Sequence, residues 1–159
     1  MKRKLFKGAI LAIFAVGITG AARRFPSLSA YVGRYPSDKV AGLSLYNHPR
    51  FRALVQAAAP SNMIATTVLA PAVENRVERQ GALLVAQMCE AHDCIDHQWT
   101  VAILSPGGPA AVCYHDNNLM GEEGRWFVGV SLVARTHVCW EGEHTSVPDA
   151  VFMRLSKGR

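Results

Sequence analysis

The densest chemistry in the chain lies in six consecutive residues, Cys89-Glu90-Ala91-His92-Asp93-Cys94. Two sulfurs flank an imidazole and a carboxylate. As free thiols they could ligate a metal or attack an electrophile; oxidised to each other, they would close a loop. A disulfide needs its Cα atoms about 4.4–6.8 Å apart, whereas five steps of extended chain would span roughly 17 Å. A Cys89–Cys94 bond therefore requires a tight loop, with His92 and Asp93 towards its tip. An imidazole can donate or accept hydrogen bonds near neutral pH and can take a charge. A rigid loop presenting His92 is thus suited to entering a partner. The plainer alternative is a strand-to-strand turn stapled for stability, with His92 merely solvated.

Other chemistry is weakly signalled. Cys89, His92, Cys94 and His97 can be counted as four zinc ligands, but the usual pattern pairs Cys-x₂₋₄-Cys with a distant second pair. A Cys–His nucleophile needs a free thiol. No glycine-rich phosphate loop and no nucleophile elbow is present. Asp38, Asp96 and Asp116 have no paired spacing that suggests acid–base work. His48, His97, His115, His137 and His144 read as structural or surface groups, and Trp99, Trp126 and Trp140 as core or sheet-face residues. The expectation is a protein that is not an enzyme, with no cofactor and no metal.

The chain's start bears on where these cysteines fold. Lys2, Arg3, Lys4 and Lys7 precede an uncharged, mostly apolar run from Gly8 to Ala22 that ends in Gly20, Ala21 and Ala22. That is the layout of a signal peptide, residues 1–22, cut before Arg23. The run is short for a membrane span, which needs about 20 residues; an uncleaved N-terminal anchor is the alternative. The formal net charge of +5 includes four positive charges from this segment. Residues 23–159 keep 13 Lys+Arg against 12 Asp+Glu, so the mature chain carries no basic surplus that points to nucleic acid or membrane. The four cysteines, Cys89, Cys94, Cys113 and Cys139, all follow the signal, and an even count in an exported chain reads as two disulfides. Three pairings are open; Cys89–Cys94 with Cys113–Cys139 is preferred.

The elements that must hold the loop can be read along the chain. Residues 30–37 form an irregular entry whose Tyr31 and Tyr35 dock on the body. Phe51, Leu54, Val55 and Ala58 recur at helical spacing, predicting a helix over 47–59 with Asn47 as its cap. Residues 64–69, with Thr66, Thr67 and Val68, suggest a short strand, and 73–79 is ambiguous. Residues 82–88 predict a strand leading into Cys89, and 97–104 a strand leaving the loop. Further strands are expected at 110–115, 126–134 and 136–140, with a polar loop at 116–125 and a turn at 141–145. A last helix starts at Ser146 and offers Ala150, Val151, Phe152 and Leu155 as its apolar side. Strands joined by short turns favour antiparallel pairing. The predicted class is α+β, an antiparallel sheet with helices packed on one face, in one domain spanning residues 23–159.

Met88-Cys-Glu-Ala-His-Asp-Cys94 resembles the signature loop of the inhibitor of vertebrate lysozyme (Ivy) family, Cys-Lys-Pro-His-Asp-Cys. Cys89, His92, Asp93 and Cys94 agree with it, while Glu90 and Ala91 replace Lys and Pro. The likeness is plain over residues 80–104 and loose elsewhere. It implies a periplasmic protein that binds a c-type lysozyme or related muramidase and inserts the loop between the two catalytic carboxylates of that enzyme. On that basis His92 is the key group, Asp93 shapes the loop or meets the rim, and Cys89–Cys94 holds the geometry. The exchange of Lys for Glu at position 90 reverses a charge beside the insertion site. It could steer the loop towards a basic lysozyme surface or direct it to another peptidoglycan-cleaving enzyme. The second reading is an envelope-binding module of the same fold without inhibitory action. Oligomeric state, a homodimer included, is left open.

Overall fold

The computed structural model describes residues 25–141 and 146–158. The expected signal segment, and all but Glu141 of the expected turn at 141–145, lie outside them. Among the described residues no helix is long and apolar enough to cross a membrane.

The architecture is the expected α+β class: a seven-stranded antiparallel sheet with helices packed against it. Its centre is three apolar strands, β3 (Leu83–Cys89), β4 (His97–Leu104) and β5 (Ala110–Asp116). They pair in full register, with Met88 opposite Trp99 and Trp99 opposite Tyr114. Two short strands, β1 (Val73–Glu74) and β2 (Glu78–Gln80), share the outer edge of β3, which resolves the ambiguous 73–79 segment. β6 (Gly124–Val128) and β7 (Ser131–Thr136) extend the other side.

Alternation along the central strands sends side chains into two cores. Leu84, Ala86, Met88, Trp99, Val101 and Ile103 pack under α1 (Pro49–Ala58) and α2 (Asn62–Val68). Leu83, Val85, Ala102, Leu104 and Trp126 pack on the opposite face with Val151 and Leu155 of α4 (Asp149–Ser156). The helical layer expected on one face is α1 and α2; the short C-terminal helix covers the other. A chain buried on both faces explains why the central strands are nearly uninterrupted in apolar residues.

Several elements differ from the sequence reading. Residues 64–68 belong to α2, with Leu69 as its C-cap, and not to a strand. Ser61 accepts the Ile64 N–H at the helix start, Ile64, Ala65 and Val68 are buried on one side, and the Thr66 and Thr67 hydroxyls donate back to Asn62 O and Met63 O. Helix α1 is capped by His48 rather than Asn47, through Arg50 N–H to His48 Nδ1 at 3.2 Å. The expected strand 126–134 is two strands joined by a two-residue turn, where Gly129 takes φ +62°. Residues 137–140 are not a strand; they cross the sheet as a strap. The polar 116–125 segment contains one helical turn, α3 (Asn117–Met120), whose Asn118 and Leu119 amides donate to the Asp116 carboxylate.

The strap is fastened to the middle of the sheet. Cys139 is bonded to Cys113 of β5, and Thr100 donates to Cys139 O. Gly124 is required beneath it, because a Cβ there would lie 2.6 Å from the Val138 carbonyl carbon.

Candidate functional site

The loop joins β3 to β4 and is closed by the Cys89–Cys94 disulfide, with Cα atoms 4.9 Å apart. Cys89 is fully buried at the strand end; Cys94 lies part-way out. Inside the ring the backbone folds on itself: Asp93 N–H donates to Glu90 O at 3.1 Å, and His97 N–H donates to Asp93 O at 2.8 Å. Glu90 N–H closes the base by donating to His97 O at 3.0 Å. This is the tight loop that the cysteine spacing demands.

His92 sits at the tip, exposed, with φ +69°. Left-handed backbone is unfavourable by about 1–2 kcal/mol for a residue with a Cβ, so the surrounding ring must hold it there. Among the described residues its side chain has no hydrogen-bond or ion-pair partner. Asp93 contributes through both its backbone groups, as a shaping residue would. Beyond Cys94, Ile95 is 81% exposed, an apolar side chain on the loop's flank.

Three side chains brace the loop from below. Gln98 is buried; its amide donates to Cys94 O at 3.0 Å, while its carbonyl accepts the Trp140 N–H at 2.8 Å. It therefore couples the loop to the strap. Asn117 donates its backbone N–H to Asp96 O at 2.8 Å and its side-chain amide to Asp96 Oδ1 at 3.1 Å. His97, read from the sequence as a structural group, bonds Glu90 through Nδ1 and Tyr114 OH through Nε2 at 2.6 Å.

The carboxylate end of this last chain fixes one proton. A carboxylate only accepts, so His97 Nδ1–H donates to Glu90, while Nε2 and the Tyr114 hydroxyl share the second bond. Burial, and then the Asp116 carboxylate, push the Tyr114 phenol up to about 12. Asp116 Oδ2 lies 3.8 Å from His97 Nε2. The imidazole packs edge-on against Trp99 and Tyr114, with centroids 5.3 and 5.4 Å away. Glu90 thus leaves the loop base already tied to the sheet, with its side chain still 57% exposed.

The competing chemistry fails on the sulfurs. Both disulfides form, Cys89–Cys94 and Cys113–Cys139, and none of the four cysteines is free. The zinc reading loses two of its four ligands, and the Cys–His reading loses its nucleophile.

A groove of about 700 Å³ opens directly beside the loop. One wall is the α2–β1 connection, Ala70 to Val73; the other is Glu90, Ala91, His97 and Trp99. No family model, no curated protein and no solved structure matches the chain.

Proposed function

We propose that the chain is a proteinaceous inhibitor of a lysozyme-type muramidase that acts by placing the 89–94 loop in the catalytic cleft. The observation that carries the reading is the pre-shaped loop itself: a disulfide-closed turn that holds an exposed His92, unpartnered among the described residues, at its tip in a left-handed conformation. Backbone held in an unfavourable region tends to mark a functional feature. The support is physical as well as by resemblance. A six-residue disulfide loop contributes only about 2 kcal/mol of global stability on the chain-entropy model, but it removes in advance the cost of ordering the loop on binding.

In a c-type lysozyme one catalytic carboxyl is kept protonated and the other ionised. An imidazole between them can accept from the first and donate to the second. The loop would fill the cleft without offering a glycosidic bond, and so would not be turned over. Export completes the reading. Two disulfides suit an oxidising compartment, and residues 1–22 have the layout of a signal peptide; both support an exported, periplasmic protein.

The test is lysis of a peptidoglycan suspension by a purified c-type lysozyme, with the wild-type chain and His92→Ala added in turn. Wild type should inhibit, and His92→Ala should raise the inhibition constant at least about fivefold, the loss expected of an interface anchor. Absence of inhibition by wild type with both disulfides intact would overturn the reading in favour of an envelope-binding module.

A further inference from the structure

We infer that the groove beside the loop is a receiving site for a lysine or arginine side chain of the same partner, with Glu90 as the residue that selects it. The inference rests on the inhibitory reading and adds a second, charge-selective contact to it. Ala91 lines the groove and is also a member of the disulfide ring, next to His92. A partner that covers the loop tip must therefore lie over the groove mouth.

The lining fits a long side chain with an apolar stem and a cationic head. Ala70, Pro71, Ala72 and Val73 make an apolar wall. Thr66 and Thr67 line it too, and their hydroxyl protons are given to helix carbonyls, so they offer a cation no competing donor. His97 has both ring nitrogens engaged, by Glu90 and Tyr114. The negative charge in the lining is the Glu90 carboxylate. One oxygen takes the His97 bond, and a carboxylate has about four acceptor sites in all. Lys and Arg bury their methylene stems along apolar surface while keeping the head in a polar environment, and a carboxylate already fixed in place loses little entropy on pairing. The mature chain has almost no net charge, so a charge preference in binding must come from local groups such as this one.

The replacement of the family's Lys by Glu90 thereby gains a role. It presents an anchored negative charge at the rim of the insertion site, matched to a basic lysozyme surface.

The experiment measures the dissociation constant of the full exported chain for a basic c-type lysozyme at low and high salt. The variants are Glu90→Lys, Ala70→Trp and His92→Ala. Ala70 is exposed, so a tryptophan there fills the groove without entering the core and leaves the Glu90–His97 bond in place. Glu90→Lys should weaken binding about 30-fold or more at low salt, with the gap narrowing at high salt as the charges are screened. Ala70→Trp should weaken it about fivefold or more at both. If His92→Ala loses affinity while Glu90→Lys and Ala70→Trp bind like wild type, the groove is overturned and the loop reading stands. If Glu90→Lys weakens binding but Ala70→Trp does not, the carboxylate acts outside the groove and the inference fails. If wild type does not bind, both readings fail together.

Discussion

His92 is the residue on which the functional reading turns, and its backbone is as informative as its ring. At φ +69° a glycine would be the relaxed choice. His92→Gly should therefore leave stability unchanged or raise it slightly, while inhibition falls at least about fivefold through loss of the imidazole. Thermal melts and inhibition assays on the same protein separate the two effects, and a parallel loss of both would make His92 a structural residue. Gln98 predicts the reverse pattern. Gln98→Ala leaves the Cys94 carbonyl and the Trp140 N–H without their partner, at a cost of about 1–3 kcal/mol. Its denaturation midpoint should drop clearly; an unchanged midpoint would show that the loop is not braced from the strap.

At the scale of elements, the two disulfides divide the work. The Cys113–Cys139 bridge closes 27 residues and pins the strap to β5, whereas Cys89–Cys94 closes six at a strand end. On the chain-entropy model their contributions are about 3.5 and about 2 kcal/mol. Cys89→Ala/Cys94→Ala should thus keep the fold, lose about 2 kcal/mol in denaturant unfolding, and lose most of its inhibition. Cys113→Ala/Cys139→Ala should lose more stability. Equal inhibition by the first variant and wild type would remove the pre-organised loop from the account.

What was legible in the sequence follows from the same elements. Strands β3, β4 and β5 were readable because burial on both faces writes an unbroken apolar run, and the loop between them because close cysteines leave few geometries. Helix α2 was misread because Thr66, Thr67 and Val68 favour strands locally, while its decision came from Ser61 and from the core that Ile64 and Val68 enter. β6 and β7 were fused because Gly129 looked like one residue within a hydrophobic run. The braces under the loop, Gln98, Asn117 and the Glu90–His97–Tyr114 chain, were not readable. They join residues far apart in sequence, and only the sheet register brings His97 beside Asp116.

For the whole molecule, one sheet with two cores presents the loop at the β3–β4 end, and buried phenols tie its stability to alkaline pH. Burial raises Tyr31; burial and the neighbouring Glu74 raise Tyr46; Tyr114 is held up to about 12. In the unfolded chain such phenols ionise near pH 10. Above that the unfolded state releases protons the folded state keeps, so stability is intact below about pH 10 and falls as pH rises towards 12. Urea midpoints measured from pH 8 to 11.5 should decline above 10, with a shallower decline in Tyr114→Phe; a flat profile would place these hydroxyls in water.

The central claim is that the loop occupies a muramidase cleft. Its most direct test is calorimetric titration of the purified protein into a c-type lysozyme, alone and saturated with an N-acetylglucosamine oligomer that fills the cleft. Binding that weakens in proportion to the occupied fraction is the predicted result. Binding of unchanged affinity to the saturated enzyme, or none to the free enzyme, would contradict it.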